Sequence, residues 1–348
     1  MRAGIAGLGV VTPLGHDAAS VLHRMAQREH AFAPYDLPVL GHLTCARVGD
    51  SEVAPLHSRA TAFLLAAAEL ALRDAGLHLT DIDHVFVGTC SGAMDSFEQW
   101  HQGLAAYSEP YAALAQAFSG NATTTFSSAC TSGLTALHYA RLAIASGLQR
   151  VLVVSADAMS AFTASGFMAL RSVAADRPLP FHPDSLGLGF GEGAAAVVLT
   201  AAPQPVHCGN SALTCDAFHR TKPRPDARAL RAAVERAVGD QSIDVYVAHG
   251  TGTPANDGAE RELLTQLGWL DKPVLAHKGF IGHAMGASGL ISFALAAQLL
   301  RQGGGRYEAS YDPAATRLRL RGELHAPRRA VVVAAAFGGA NAAAVVQV

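Results

Sequence analysis

Apolar residues recur along the chain in short runs that alternate with longer segments of helical length. The run Arg-Val-Leu-Val-Val-Ser at 150–155 is short and rich in β-branched residues, which is typical of a buried strand. The segment 131–145 instead carries small and apolar residues over about four helical turns. Strands that alternate with helices in this way indicate an α/β protein whose parallel strands are joined by crossover helices.

The same pattern places the individual elements and a boundary between two halves. Strands are predicted at 3–11, 84–88, 123–128, 150–155, 193–199, 243–248, 273–276, 330–336 and 342–348, and helices at 57–75, 131–145, 227–238, 255–267 and 284–300. The stretch 203–225 has a weaker pattern and several turn formers, so we place the boundary near its start. The predicted halves are 1–202 and 203–348. In both halves a strand leads through a polar turn of small residues into a long Ala-rich helix.

Composition narrows the class of protein. The chain has 348 residues, of which 50% are hydrophobic and 16% charged, and its formal net charge is −2. This composition favours a large core over disorder, and it predicts no broad basic surface and no nucleic-acid partner. Five cysteines without a C-x-x-C pair argue against a disulfide framework. We therefore expect a reducing, cytoplasmic setting.

One segment has the length of a membrane span. Residues 279–300 contain no Asp, Glu, Lys or Arg, and their number reaches the ~20 that a spanning helix needs. The segment also contains His283, two serines and four glycines. We interpret it as a helix buried inside the protein and expect no membrane span.

Cys130 lies in the stretch Phe-Ser-Ser-Ala-Cys-Thr-Ser-Gly, between a predicted strand and a predicted helix. The unpaired N–H groups and the dipole at a helix N-terminus favour a thiolate, which is the nucleophilic form of cysteine. The same N–H groups are suited to hold a developing oxyanion. The alternative is a small buried cysteine that only packs.

Three further turns carry residues that packing does not explain. His249 opens His-Gly-Thr-Gly-Thr-Pro directly after a predicted strand, where α/β proteins bind ligands, although a structural histidine is the alternative. Lys278 and His283 lie five residues apart in a glycine-rich turn that enters the predicted buried helix. A close helix crossing explains the glycines of this turn but neither of the two polar residues. Phe337 begins Phe-Gly-Gly-Ala-Asn between the last two strands.

One cysteine and two histidines on separate turns form a set suited to covalent catalysis. Zinc bound by Cys and His is the competing interpretation. A closed zinc site needs a fourth ligand, and the sequence shows no compact ligand spacing. We therefore expect no metal and no redox cofactor.

Taken together, these motifs resemble those of the β-ketoacyl-acyl carrier protein synthases of the elongating class. The matching segments are Ala-Cys-Thr-Ser-Gly around Cys130, His-Gly-Thr-Gly-Thr-Pro from His249, Lys-x-x-x-x-His-x-x-Gly from Lys278, and Phe-Gly-Gly-x-Asn from Phe337. The N-terminal Gly-Leu-Gly-Val-Val-Thr-Pro-Leu-Gly and an internal Gly-Glu-Gly-Ala also match, so the resemblance runs from end to end. Initiating ketosynthases and thiolases use Cys-His-Asn and Cys-His-Cys sets, and the second histidine, His283, argues against both.

The resemblance implies a thiolase fold: two similar βαβαβαββ halves in a five-layered α-β-α-β-α arrangement. It also implies a dimer and an acyl carrier protein partner whose phosphopantetheine arm carries the acyl chain. The Ala-rich helices after Cys130 and His283 would form the central layer.

The resemblance further implies a role for each site residue. Cys130 would carry the acyl chain, and His249 and His283 would stabilise the enolate formed by decarboxylation. Lys278 would orient the site electrostatically. The backbone N–H groups of Cys130 and Phe337 would form the oxyanion hole, with Phe337 also acting as a gate. Thr251 and Thr253 would hold the pantetheine arm.

Some positions depart from the family pattern. Ser292 stands where a glutamate is usual, and Ser-Leu-Gly-Leu at 185–188 replaces Arg-Asp-Gly-Phe. The chain is also shorter before Cys130 and around 203–226. These departures favour a secondary pathway, polyketide or polyene, over primary fatty acid synthesis. They keep three functions open: a condensing enzyme, a chain-length-factor-like partner subunit in a heterodimer, and an acyltransferase or hydrolase that does not decarboxylate.

Overall fold

The computed structural model describes residues 3–37, 40–50, 58–101, 110–308 and 318–348. Its strands are β1 (Ala3–Val11), β2 (Phe32–Leu37), β3 (Gly41–Ala46), β4 (His84–Gly88), β5 (Thr123–Phe126), β6 (Arg150–Asp157), β7 (Phe190–Gly191), β8 (Gly193–Thr200), β9 (His207–Cys215), β10 (Val245–Val247), β11 (Val274–Leu275), β12 (Gly304–Glu308), β13 (Arg321–His325), β14 (Arg329–Ala335) and β15 (Ala340–Gln347). Its α-helices are α1 (Ala18–Ala26), α2 (Arg59–Ala75), α3 (Met94–His101), α4 (Pro110–Gln116), α5 (Ser132–Ala145), α6 (Ala161–Ala169), α7 (Arg228–Val238), α8 (Pro254–Gln266), α9 (Lys278–Ile281) and α10 (Ser288–Arg301).

One ten-stranded sheet organises the molecule, in the order β11-β10-β14-β15-β9-β1-β8-β6-β4-β5. Strands β1 and β9 meet in the middle through the antiparallel pairs Ala3–Cys208 and Gly4–His207. Five strands lie on each side of this junction in a matching arrangement. The boundary at residue 202 stays a prediction.

The sheet is mixed, and it contains both the parallel strands that the alternation with helices predicts and antiparallel ones. Strand β4 pairs in parallel with β5 and β6, and β10 pairs in parallel with β11 and β14. In contrast, β8 runs antiparallel to both β1 and β6, and β15 runs antiparallel to both β14 and β9. The short connection 336–339 explains why β15 runs antiparallel to β14, because a link of so few residues cannot make the crossover that parallel neighbours need.

Helices α5 and α10 contact each other and also contact strands from both sides of the junction. Helix α2 covers the outer face of β1, β8 and β6, and α7 covers the outer face of β9, β15 and β14. The order is therefore helix, sheet, helix, sheet, helix, which confirms the five-layered thiolase fold predicted from the resemblance. The central pair accounts for the charge-free segment, since all but two residues of α10 are buried. No helix in the described part of the chain is long and apolar enough to cross a membrane.

The glycines of the segment after Lys278 serve a close crossing of α5 with the turn before α10, as their pattern predicts. A Cβ at Gly133 would lie 2.9 Å from the carbonyl oxygen of Gly286, and one at Gly289 would lie 2.9 Å from Cγ of Leu134. Such contacts require glycine or a shift of the backbone. This crossing brings the turn that carries His283 against the start of the helix that follows Cys130.

Most predicted elements are present with ends shifted by a few residues. His57, the first residue of the predicted helix 57–75, lies outside the described residues, and Gly76 ends α2 in a left-handed conformation (φ 65°). Strand β9 is a correction, because it occupies the stretch 203–225 that the sequence pattern left without structure. Its polar residues weaken the pattern, yet Ala212 and Cys208 are buried between neighbouring strands.

Candidate active site

Cys130 occupies a sharp turn between β5 and α5. Ala129 has a left-handed backbone (φ 52°), a conformation that costs alanine free energy and is common at functional sites. Ser132 stabilises this turn, because its hydroxyl accepts a hydrogen bond from the N–H of Ser128 (2.9 Å) and donates one to the carbonyl of Ala129 (2.6 Å). Helix α5 begins two residues after Cys130, as the sequence predicts.

Burial, and not the helix terminus, dominates the charge state of Cys130. The side chain is 6% exposed, and burial raises the pKa of the Cys130 thiol to about 12, while the Lys278 ammonium acts in the opposite direction. In the resting protein, burial therefore outweighs the favourable effect of the helix N-terminus on a thiolate. The resting residue is a neutral thiol that must give up its proton when it reacts.

His249 and His283 lie against each other and against Cys130. Their rings are perpendicular (84°), with centroids 5.3 Å apart. The sulfur of Cys130 and one ring nitrogen from each of His249 and His283 lie within 4.8 Å of one another. Burial and the nearby Lys278 hold the pKa of both histidines well below the usual value. Both imidazoles are neutral at pH 7, so each has one nitrogen that accepts and one that donates. This sulfur and these two nitrogens, all on buried residues, could also hold a thiophilic metal ion.

Hydrogen bonds orient the two imidazoles differently. Nδ1 of His283 lies 3.0 Å from the hydroxyl of Ser288, at the start of α10. Nδ1 of His249 is buried and has no hydrogen-bond partner among the residues that the structure describes. The ring of His283 is thus tethered, whereas the position of His249 depends on its backbone.

The backbone of His249 is anchored by two charged side chains. Its carbonyl oxygen accepts a hydrogen bond from Nζ of Lys278 (2.6 Å), and its N–H donates to Oε1 of Glu260 (2.8 Å). Lys278 is 3% exposed, and burial lowers its pKa to about 8, while the carboxylate of Glu260 and the thiol of Cys130 raise it. Lys278 therefore places a buried positive charge beside the cysteine and both histidines.

Glu260 is a site residue that the sequence reasoning missed. Its carboxylate is completely buried and also accepts hydrogen bonds from the N–H of Gly250 (2.6 Å), Nδ2 of Asn256 (2.8 Å) and the hydroxyl of Tyr246 (2.8 Å). A signal was available, because Glu260 lies three and four residues before Leu263 and Leu264 on the apolar face of α8. An acidic residue on such a face needs a set of buried donors.

Asp157 is a second missed residue, at the end of β6. Its fully buried carboxylate accepts hydrogen bonds from the hydroxyls of Thr89 and Ser91 and from the N–H groups of Cys90 and Ser91. Burial raises its pKa to about 6, and its charge in turn raises the pKa of Cys130. Asp157 lies beside the turn before α10, where its Oδ2 is 2.9 Å from the position that a Cβ would take at Gly286.

Ser292, the residue at the usual glutamate position, is buried in α10. Its hydroxyl lies 3.2 Å from Nδ1 of His277, the residue before Lys278. Burial lowers the pKa of His277 to about 3, so this pair is neutral.

A cleft of about 370 Å³ leads from the surface to Cys130, His249 and His283. Thr251, Thr253 and Phe337 lie along it. The structure therefore gathers six of the seven predicted site residues around one opening. The seventh, Lys278, does not line the cleft but donates a hydrogen bond to the carbonyl of His249.

The cleft wall contains both polar and aromatic positions. The hydroxyls of Thr251 and Thr253 are 2.9 Å apart, and Thr253 caps α8. The ring of Phe337 lies against that of Phe167, with centroids 5.1 Å apart and planes tilted by 32°, and 36% of the surface of Phe337 is exposed. Leu186 at the rim is 76% exposed. The cleft therefore offers both hydrogen-bonding and apolar surface to a ligand.

The match to known families agrees with this geometry. Residues 47–204 match the model of the beta-ketoacyl synthase N-terminal domain, and residues 207–304 match that of the beta-ketoacyl synthase C-terminal domain. The chain belongs to the β-ketoacyl synthase family, whose members are condensing enzymes of the transferase class.

Curated relatives match the chain over most of its length. The tetracenomycin polyketide synthase ketoacyl synthase alpha subunit of Streptomyces glaucescens is 29% identical over 87% of this chain and 85% of its own. A 3-oxoacyl-[acyl-carrier-protein] synthase 2 from Synechocystis is 25% identical over 83% of this chain and 82% of its own. The sequence relatives thus include a polyketide synthase subunit and a 3-oxoacyl-[acyl-carrier-protein] synthase.

Solved structures show the same fold. A chain from the complex of a ketosynthase with its chain length factor from Xenorhabdus doucetiae superposes with a TM-score of 0.88 at 23% identity, over 100% of this chain and 98% of that one. A chain of the ishigamide ketosynthase/chain length factor gives a TM-score of 0.84 at 24% identity, over 99% and 98% of the two chains.

Proposed function

We propose that this protein catalyses the decarboxylative Claisen condensation of a Cys130-bound acyl chain with malonyl-acyl carrier protein. The product is 3-oxoacyl-acyl carrier protein, and the pathway is fatty acid, polyketide or polyene synthesis. The observation that carries the proposal is the meeting of Cys130, His249 and His283 within 4.8 Å at the inner end of an open cleft.

The first step loads the acyl chain. A neutral imidazole accepts the thiol proton as Cys130 attacks the thioester carbonyl of the acyl carrier protein. The carbon–sulfur bond to the pantetheine breaks, and that sulfur takes up the proton as it leaves. The N–H groups of Cys130 and Phe337 hold the negative oxygen that forms on the carbonyl. Because the resting thiol is neutral, general-base assistance supplies the reactive thiolate only when substrate is in place.

The second step uses the histidines as donors. Malonyl-acyl carrier protein loses carbon dioxide, and the electron pair of the broken bond forms an enolate. Neutral His249 and His283 each donate an N–H to the enolate oxygen, and the Lys278 ammonium supports this negative charge from behind. The carbanion carbon then attacks the acyl-Cys130 thioester, and the thiolate that leaves takes up a proton.

The cleft and the surface define the partners we propose. Thr251 and Thr253 hydrogen-bond the pantetheine arm of an acyl carrier protein along the cleft, and Phe337 gates it. A dimer is supported by the outer strand β5, whose Phe126 stacks at 4.8 Å on the 44% exposed Tyr139 of α5. A strand at the end of a sheet with exposed aromatic surface beside it favours association. The partner is a second copy or a related ketosynthase-like subunit.

The strongest alternative is a chain-length-factor-like subunit that pairs with an active synthase. The solved complexes named above contain such a partner. An intact Cys130 with two neutral histidines favours the condensing enzyme over this alternative. The third candidate, an acyltransferase that does not decarboxylate, uses the same cysteine.

Intact-mass spectrometry after incubation with acyl- and malonyl-acyl carrier protein separates the three. A condensing enzyme gains the acyl mass on Cys130 and releases carbon dioxide from the malonyl donor. Cys130→Ala should lose the acyl mass, whereas the exposed Cys215→Ala should keep it. Loading without carbon dioxide release supports the acyltransferase. If Cys130 gains no acyl mass, either in the protein alone or with a co-purified partner, the proposal is overturned and the non-catalytic subunit is supported.

A further inference from the structure

Cys130, His249 and His283 have a second chemical capacity besides catalysis. One sulfur and two imidazole nitrogens are ligands that Zn²⁺ and related thiophilic cations prefer. Their donor atoms lie within 4.8 Å of one another, and in a tetrahedral zinc site such atoms lie about 3.5 Å apart. A closure of about 1 Å, which side-chain rotation can supply, converts this cluster into three ligands of one ion.

The hydrogen bonds around the cluster favour this closure. His283 is tethered through Nδ1 to the hydroxyl of Ser288, which leaves its other nitrogen as the ligand and resembles the support that metal-binding histidines receive. His249 is buried and, within the described ranges, has no partner at Nδ1, so a rotation of its ring loses no hydrogen bond there. Neutral imidazoles present a free lone pair to a metal.

The neighbouring charge decides how strongly an ion binds. Lys278 is buried beside the cluster and donates to the carbonyl of His249, so its ammonium repels a dication. The described part of the chain also supplies three ligands and not four, which leaves one position for water. Both facts argue against a resident structural zinc and for binding that is reversible.

We propose that Cys130, His249 and His283 form a reversible inhibitory site for a thiophilic divalent cation such as Zn²⁺. Binding replaces the thiol proton by the metal, and the proton is released to water. The metal holds the sulfur lone pair that would attack a thioester and occupies the nitrogens that would serve as base and donors. The ion enters through the cleft, and an acyl chain on Cys130 excludes it because the thioester sulfur is a poor ligand.

The test uses Co²⁺ as a spectroscopic probe and needs no turnover, so it is independent of the proposed reaction. Metal-free protein is titrated with Co²⁺, and the absorption from thiolate-to-cobalt charge transfer is followed. We expect one equivalent to bind per chain and Zn²⁺ to displace it, whereas a large excess of Mg²⁺ should not. His283→Asn should weaken Co²⁺ binding at least ~10-fold.

Two variants and one chemical block assign the site. The band should be absent in Cys130→Ala and retained in Cys215→Ala, which removes an exposed cysteine outside the cluster. Alkylation by iodoacetamide in the Cys215→Ala protein, continued until peptide mass spectrometry locates the adduct on Cys130, should abolish the band too, and this arm stands if Cys130→Ala fails to fold. Absence of a thiolate band in the unmodified protein, or its persistence after alkylation of Cys130, overturns the proposal.

Discussion

Replacement of Glu260 by glutamine tests how the position of His249 is maintained. The buried carboxylate accepts hydrogen bonds from four groups at 2.6 to 2.8 Å, two of which are the N–H groups of His249 and Gly250. Glu260→Gln keeps the shape of the side chain but replaces one acceptor oxygen by an NH₂ donor. When this NH₂ lies on the side of Tyr246, the tyrosine hydroxyl can rotate and accept a hydrogen bond from it. The N–H of His249 then faces another donor and loses its partner.

The expected cost follows from these contacts. A buried backbone N–H that loses its acceptor costs about 1–3 kcal/mol. The hydrogen bonds at the remaining oxygen lose their charge assistance, which removes about 1 kcal/mol each. We therefore expect Glu260→Gln to lower the free energy of unfolding by about 3–5 kcal/mol. A shift of His249 by about 1 Å should also slow carbon dioxide release by about 10²-fold.

Urea denaturation and carbon dioxide release measure the two effects. Tyr246→Phe is the matched control, because it removes one donor to the same carboxylate and leaves the N–H of His249 bonded. It should lower the free energy of unfolding by about 0.5–1.5 kcal/mol. If Glu260→Gln is as stable and as active as Tyr246→Phe, the anchoring of His249 by this carboxylate is wrong.

Three further predictions concern catalysis, pH and assembly. His249→Ala and His283→Ala should each slow carbon dioxide release from malonyl-acyl carrier protein by ~10²–10³-fold, and a larger effect on acyl loading than on release would contradict the donor role. The pKa of Asp157 is raised to about 6 in the folded protein, so the folded protein binds the proton of this carboxyl more tightly than the unfolded chain does. The stability that this proton contributes at low pH is therefore lost as the pH rises from 4 to 6. Asp157→Asn should remove up to about 3 kcal/mol of this pH dependence in denaturation at pH 4 and 7, and equal pH dependence in both proteins would refute the assignment. We expect a dimer that buries more than ~2,000 Å². Light scattering should show the mass of two chains, and a stable, active monomer would exclude the dimer.

Several parts of the site could be predicted from local sequence. Cys130 follows a β-rich run and precedes a helical pattern, so its place at a strand-to-helix turn needed no tertiary information. The glycines at 282, 286 and 289 indicated a close helix crossing, and Gly133 and Gly286 meet there. The charge-free segment that ends near residue 300 indicated a buried helix, and α10 is one.

Other features depend on contacts between distant segments. Residues 207–215 form a strand because two neighbours, β1 and β15, supply partners for their backbone groups, and their own alternation is too weak to show it. Glu260 and Asp157 are anchored by donors that lie up to 68 positions away in the chain. A carboxylate in a sequence does not show which backbone N–H groups will surround it.

The sequence by itself determined the periodicity of the elements, the motifs at the four turns and thereby the family. Only the tertiary structure decided that Cys130, His249 and His283 meet and what charge each carries. The helix N-terminus predicted a thiolate at Cys130, yet burial raises its pKa to about 12 and lowers those of both histidines. The physical reason is that secondary structure follows from local spacing, whereas the cost of a charge depends on how much water the complete fold removes from around it.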